Sequence, residues 1–192
     1  MVFLVDPVFG TLLRDMRVDE SVFRTGVYCA RLLRRTDFAL IRVFNEQSSD
    51  FFMMQNGAQP GEKDAVEIFE AVPSGRRVED KLPIGVFEFD GRLVGLIDVL
   101  RNYRMEFDWW IGLMLLAPAF RNAGLGSKIH CAFESYAVTC SAKRLGLAVL
   151  EENSGAHRFW SKLGYRKVRD HPPTRYGCRI HACTEYEKPL LA

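Results

Sequence analysis

The stretch from Trp109 to Leu150 constrains the fold more than any other. It begins with "WWIGLMLLAP", an almost unbroken apolar run closed by Pro118, which predicts a central strand buried on both faces. A glycine turn follows. From Gly124 to Ser141 the residues Leu125, Ile129, Ala132, Phe133, Tyr136, Ala137 and Cys140 then recur at three- and four-residue spacing, the stripe of an amphipathic helix. "RLGLAVL" is next and reads as a short strand. Strand, helix and strand in that order require a parallel pair joined by a right-handed crossover, because the helix must pack back onto its own sheet.

The flanks demand the opposite pairing. "IGVFEF" and "LVGLIDVL" are β-rich runs separated by Asp90-Gly91, a strong hairpin signal. "NSGAHRFWSKLG" predicts a helix capped by Asn153 or Ser154 and ended by Gly164. Strands near "YRKVRD" and "RIHACTEYE" complete a mixed sheet. Upstream of residue 80, "FALIRVF" predicts a strand, "GEKDAVEIFEAV" a helix opened by Pro60 and Gly61, and "ESVFRTGVYCARLLRR" a helix. No repeat or linker divides the chain, so one mixed α/β (α+β) domain is expected. Residues 1–35 would be an N-terminal arm or extra helix of that domain, and 36–192 its main body.

Charge narrows the choice of partner. Lys and Arg number 26 against 24 Asp and Glu, a net charge of +2, so nothing favours nucleic acid or an anionic membrane. The start "MVFLVDPVFGTLLRD" is apolar but lacks a basic lead and the ~20 apolar residues of a membrane span, and a soluble cytoplasmic protein is expected. The five cysteines, odd in number and scattered, suit reduced thiols. In "CRIHAC" a strand would turn Cys178 to one side and His181 and Cys183 to the other, so no metal is expected there.

The turn itself, "PAFRNAGLGSK" from Pro118 to Lys128, suits a phosphate: a helix N-terminus offers free N–H groups and a positive dipole end, and glycine lets the backbone come close. Spacing separates the nucleotide motifs. No glycine lies five residues before Gly126, and the residue after it is Ser127, so this is not a P-loop. Position 129 is Ile, where the dinucleotide fingerprint needs glycine.

What remains is Arg121-x-x-Gly124-x-Gly126 directly after Leu116-Ala117-Pro118, which resembles the pyrophosphate loop of the GNAT superfamily of N-acetyltransferases. Twenty-seven residues after Gly126, "NSGAHRFWSKLGYRKV" resembles that family's second landmark. The resemblance covers about residues 82–170 and implies a GNAT-like fold, a central mixed, mostly antiparallel sheet of about six to seven strands with helices on both faces. It further implies acetyl-CoA as co-substrate, no metal, and transfer of the acetyl group to a primary amine of a small molecule by direct attack in a ternary complex. The alternative is a catalytically weak acyl-CoA-binding sensor module.

The site residues that the resemblance implies are as follows. The pyrophosphate would sit on Asn122, Ala123, Gly124, Leu125, Gly126 and Ser127, with Arg121 close to the loop or capping the turn. The backbone of Met114, Leu115 and Leu116 would pair with the pantetheine arm like an added strand, and would also supply the N–H for the tetrahedral oxygen. Asn153 would reach the cofactor, cap its helix, or both. Lys128, Arg158 and Lys162 are candidates for the adenosine 3′-phosphate.

Two positions depart from the pattern. Trp110 stands where the family often has a glutamate base, which leaves Asp108, with Glu106 beyond it, as a base acting through water. Trp160 stands where the family often has a proton-donating tyrosine; an indole N–H can donate a hydrogen bond but not a proton. Water or Ser161 would then protonate the departing thiolate, and Trp160 would wall the thioester end. "DFFMMQN", Asp50 to Asn56, and "MEFDWW", Met105 to Trp110, would flank an acceptor cleft suited to a cation with an apolar body. Acceptor identity, acyl chain and a homodimer are left open.

Overall fold

The computed structural model describes residues 21–190. Eight strands form one sheet: β1 (Ser21–Thr25), β2 (Tyr28–Leu32), β3 (Lys81–Phe87), β4 (Leu93–Leu100), β5 (Asp108–Leu116), β6 (Arg144–Leu150), β7 (Arg166–Tyr176) and β8 (Arg179–Pro189). Their spatial order is β1-β2-β3-β4-β5-β6-β8-β7, and every pair is antiparallel except β5 with β6. The parallel crossover required by the Trp109–Leu150 stretch is therefore present, and there are more strands than the six to seven expected.

Helices cover both faces. α1 (Phe38–Gln47), α2 (Ser49–Asn56) and α3 (Glu62–Glu70) supply Ile41, Phe44, Phe52, Ala65 and Ile68 to one apolar cluster. α4 (Leu125–Thr139) and α5 (Ser154–Lys162) supply Leu125, Ile129, Phe133, Ala137 and Trp160 to the other. The stripe read in the sequence is the buried face of α4, with Ile129, Phe133 and Ala137 fully enclosed.

Two expectations upstream of residue 80 are corrected. "FALIRVF" is not a strand but most of α1. Ile41, Phe44, Asn45 and Ser48 are buried while Leu40 and Val43 stay exposed, so the three- and four-residue period won over the β-propensity of the run. "ESVFRTGVYCARLLRR" is not a helix but the β1–β2 hairpin. Thr25 pairs with Tyr28 around the two-residue loop Gly26-Val27, and Gly26 takes a φ of +56°, which suits the first loop position of a tight hairpin. Phe23 of β1 then packs on Phe133 and Tyr136 of α4. Residues 1–20, most of the expected arm, lie outside the described residues.

The Asp90-Gly91 turn forms as expected, with Gly91 at φ +86°. The strand that follows departs from the simple reading in a way that builds the site. Between β4 and β5 the register passes from Asp98↔Leu113 to Val99↔Ile111, so Gly112 is an extra, unpaired residue, a β-bulge. An inserted residue flips the alternation of side chains beyond it. Accordingly Trp109 and Ile111 pack in the α4–α5 cluster, whereas Leu113 and Leu115 pack with α1–α3. The run is thus buried on both faces by one kink rather than by a straight strand.

Candidate active site

Beyond the bulge, β5 and β6 part. Their ladder runs from Asp108↔Arg144 to Ile111↔Leu147 and ends there, while β6 continues beside β8 to Leu150↔Cys183. The backbone from Gly112 to Leu116 is therefore bonded only to β4, through pairs such as Leu113↔Asp98 and Leu116↔Gly95. Its other edge opens into a gap of about 280 Å³, lined among others by Met114, Ala148, Leu150, Asn153, Ala156 and Trp160. An unpaired strand edge is a template for an extended ligand.

The gap runs into a cleft of about 340 Å³ formed by Met114, Leu115, Leu116, Arg121, Asn122, Gly124, Gly126, Ser127, Gly155, Ala156, Phe159 and Trp160. Asn122 and Gly124 adopt φ of +63° and +80°, turning the chain so that it enters α4 with its amides exposed. Among the described residues, no N–H from Asn122 to Ser127 donates to a backbone carbonyl. A Cβ added at Gly124 would meet nothing within 4 Å, and one at Gly126 would come 3.3 Å from the Phe159 ring. Gly124 thus leaves open the space in which a pyrophosphate would lie, while Gly126 lets α5 pack closely.

Of the residues expected around the cofactor, Met114, Leu115, Leu116, Arg121, Asn122, Gly124, Gly126, Ser127 and Trp160 line this cleft. Asn153 lines the gap and also caps α5, its Oδ1 accepting from the Ala156 N–H at 3.0 Å, so both of its roles have a place. Ala123 and Leu125 are not lining residues, and Leu125 is buried in the core beneath the loop. Lys128, Arg158 and Lys162 lie outside the cleft lining. Gly155, Ala156 and Phe159 line it without having been singled out, although they stand within the same "NSGAHRFW" motif.

Arg121 is held on two sides. Its Nε donates to the Leu116 carbonyl at 2.7 Å, and its guanidinium pairs with the Asp50 carboxylate of α2, which lies below the usual carboxylate range because of that hydrogen bond.

The other end of the gap opens on a cavity of about 520 Å³ between α2, α3, the bulge and the β7–β8 turn. Phe51, Gln55, Gly112, Leu113 and Tyr176 border both spaces, so they are continuous. The turn is fastened to the end of α2: the Cys178 N–H donates to the Asn56 carbonyl at 2.8 Å, and His181 Nε2 lies 3.0 Å from the Gln55 carbonyl. Gly177, at φ +55°, fits because a Cβ there would come 2.7 Å from that Asn56 oxygen. The expected "DFFMMQN" wall is thus present in Phe51, Phe52, Gln55 and Asn56. From "MEFDWW" only Trp110 reaches the gap; Glu106 is an exposed loop residue, because β5 starts at Asp108.

Asp108 lies at the far end of β5 from the gap. Both its oxygens accept from Arg144, at 3.1 and 2.8 Å, which leaves this carboxylate engaged in an ion pair instead of facing an acceptor. Arg144 also pairs with Glu187 at 3.3 Å, and Arg104 bridges Glu187 and the buried Glu185, which Arg169 and His171 contact at 2.9 and 2.7 Å. Burial works to raise Glu185, but the hydrogen bonds from Arg104, His171 and Arg169 prevail and hold it below its usual range. This network ties β5, β6, β8 and β7 together.

Asp98, in the middle of β4, borders the larger cavity together with Asp64 and Glu67 of α3. One Asp98 oxygen accepts from Lys81 at 2.7 Å; the other is buried without a hydrogen-bond partner. Burial raises its pKa above 3.8, and the Lys81 ammonium offsets this only in part. Gly112 lies over Oδ2, the oxygen that Lys81 holds: a Cβ there would lie 3.5 Å from it. A charged residue inside the apolar run "LVGLIDVL" was the signal of Asp98 in the sequence.

Residues 40–165 match the acetyltransferase (GNAT) family model. The chain belongs to that family. As a GNAT acetyltransferase it uses acetyl-CoA as co-substrate, and the amides and open edge just described fit that molecule. Among the described residues no group of three potential ligands could hold a metal, and no helix is long and apolar enough to cross a membrane. A sequence search of curated proteins finds no match.

Among solved structures, an acetyltransferase from Thermus thermophilus is similar at 22% identity, over 86% of this chain and 99% of that chain, with a TM-score of 0.69. Spermidine N-acetyltransferase from Vibrio cholerae, in complex with CoA and spermine, aligns at 14% identity over 85% and 96%, TM-score 0.67. The ribosomal-protein-S18-alanine N-acetyltransferase from Escherichia coli aligns at 14% over 85% and 94%, TM-score 0.62. These establish a shared fold, on which acceptors as different as a polyamine and a ribosomal protein are served.

Proposed function

We propose that this acetyltransferase transfers the acetyl group of acetyl-CoA to the primary amine of a small cationic molecule with an apolar body, by direct attack in a ternary complex. The observation that carries this reading is Asp98, a half-buried carboxylate with one enclosed, unpartnered oxygen, at the wall of a cavity continuous with the gap between β5 and β6.

The cofactor side supports it first. The N–H groups from Asn122 to Ser127 would hold the pyrophosphate at the N-terminus of α4. The edge from Gly112 to Leu116 would pair with the pantetheine arm, and Trp160, only 7% exposed and packed against Phe159, His130 and Tyr165, would wall the thioester end. The acceptor side supports it second. Phe51, Phe52 and Tyr176 give apolar and π surface, and Asp98 a negative charge, the combination that favours an ammonium.

The chemistry follows from the order of these groups. An alkylammonium must lose a proton before it can attack, and Asp98 is a carboxylate beside the acceptor, whose basicity burial has raised. Backbone amides near Leu115 and Leu116 would meet the developing oxyanion. Proximity of the two bound substrates contributes much of the remaining acceleration.

The test is a panel of primary amines with acetyl-CoA, reading acetylated product and released thiol. Turnover of compact amines with an apolar body is expected. Tight CoA binding without turnover on any amine would instead favour the sensor module.

A further inference from the structure

The departing sulfur needs a proton, and the position from which a GNAT tyrosine would give it is Trp160. Ser161, the nearby hydroxyl that the sequence suggested, is exposed and does not line the gap. Of the side chains that do line the gap, Phe51, Leu113, Met114, Leu147, Val149 and their apolar neighbours carry no mobile proton, and Gln55, Asn153, Trp110 and Trp160 carry only amide or indole N–H. Two lining residues have a side-chain proton that can be given and regained in water: Tyr176 and Cys183. They belong to neighbouring strands of the β7–β8 hairpin, and the Tyr176 hydroxyl lies 3.3 Å from Cys183 Sγ.

Resting on the function proposed above, we propose that Tyr176 is the residue that protonates the coenzyme A sulfur, with Cys183 behind it as the positioning residue that replenishes the proton. Tyr176 borders both the gap and the acceptor cavity, so its ring stands where the amine and the thioester meet. Cys183 is 6% exposed, pairs with Leu150 at the end of β6, and lines the gap but not the larger cavity.

The bound ammonium first gives one proton to Asp98, which passes it to water; the neutral amine nitrogen then forms a bond to the carbonyl carbon, and a second N–H proton goes to Asp98. The tetrahedral carbon then re-forms its C=O as the C–S bond breaks, and the sulfur takes that bonding pair. The Tyr176 O–H proton passes to the sulfur while the Cys183 S–H proton passes to the phenolic oxygen. The thiolate left on Cys183 regains a proton by way of Tyr176 from water, after the products leave, and Asp98 releases its proton to water. Overall the proton leaves one aliphatic thiol and arrives at another. Burial pushes the Tyr176 hydroxyl up to about 12, with the Cys183 hydrogen bond adding to it, so the phenol stays protonated at neutral pH. His181, the other polar group packed on Tyr176, with ring centroids 5.9 Å apart, is turned to Gln55 and Glu152 and does not compete.

The experiment compares wild type, Tyr176→Phe, Cys183→Ala and the double variant, each checked for wild-type far-UV circular dichroism and for acetyl-CoA affinity by calorimetry. Tyr176→Phe, which removes one oxygen from the lining, should lower kcat by about 10²-fold, with KM for acetyl-CoA and for the amine within about threefold of wild type. Cys183→Ala should lower kcat less, and the double variant should be no slower than Tyr176→Phe, since both act on one proton. Undiminished kcat in Tyr176→Phe overturns the assignment, as does a variant that changes only KM for the amine, the result expected of a mere cavity wall. If Tyr176→Phe is unstable, Cys183→Ser supplies the reading: kcat below wild type supports the relay, and unchanged kcat overturns it. A wild-type chain that binds acetyl-CoA yet acetylates no amine overturns the underlying function, a different outcome from active wild type with an equally active Tyr176→Phe.

Discussion

Arg121 at the glycine loop and Asp50 on α2 form an ion pair that ties the end of β5 and the loop to α2. The same guanidinium holds the Leu116 carbonyl, so the end of β5, the loop and α2 share one cation.

In the proposed cofactor site, removing the competing anion would free Arg121 for phosphate. The Asp50 carboxylate is largely exposed, so the pair stabilises by about 0.2–1 kcal/mol. Asp50→Asn is expected to tighten CoA binding by about two- to fivefold, and Arg121→Gln to weaken it, both measured by calorimetry.

Gly124 has φ +80° and open space where a Cβ would be. Gly124→Val is expected to cost about 1–3 kcal/mol of stability through backbone strain. It should also weaken CoA binding at least about tenfold, by pushing the pyrophosphate off one or more amides, each charged hydrogen bond being worth about 1.5–3 kcal/mol. Unchanged CoA affinity would remove the cradle from the site.

Asp98→Asn keeps the shape and removes the proposed base. A fall in kcat of about 10²–10⁴-fold is expected, with CoA affinity preserved. Because burial raises Asp98 above 3.8, the acid limb of the wild-type kcat/KM profile should lie above that value, and the variant should lack it. Retention of the limb in Asp98→Asn would assign it to another group.

His130 makes the fold sensitive to acid. It is fully buried behind Trp160, 2.9 Å from the Tyr165 hydroxyl and 3.5 Å from Glu134, and burial, with a smaller contribution from Lys188, lowers its pKa from 6.5 to about 4. The unfolded chain therefore binds a proton that the folded chain refuses between pH 6.5 and about 4, so stability is complete above pH 6.5 and falls as pH drops through that window. The loss should approach about 3 kcal/mol. Urea midpoints measured from about pH 4 to about pH 7 should show it, and His130→Gln should flatten that part of the profile.

Gly146 is needed beneath Trp110. A Cβ at Gly146 would come 2.9 Å from the Trp110 ring, itself stacked on Tyr103 with centroids 4.6 Å apart. Gly146→Ala is expected to destabilise by about 1–3 kcal/mol through overpacking, read as a lowered thermal midpoint.

The sequence by itself determined the βαβ crossover, the Asp90-Gly91 hairpin, the glycine loop and the Asn153 cap, because each is written in residues close together: apolar periodicity, turn chemistry, helix-terminus spacing. It misread "FALIRVF", where a short apolar run is compatible with either period, and "ESVFRTGVYCARLLRR", where the hairpin depends on a single glycine and on strand β3 from far along the chain. Tertiary structure alone decided the rest. The bulge at Gly112 comes from the register between β4 and β5, which no local pattern specifies; it separates β5 from β6 and sets Gly112 over Asp98. Strand pairing likewise sets Asp108 against Arg144, thirty-six residues on, and brings Tyr176 to the gap from the far end of the chain. A strand's hydrogen bonds are satisfied by whichever partner the sheet supplies, so which carboxylate and which hydroxyl border the gap and its neighbouring cavity is settled by strand order and register.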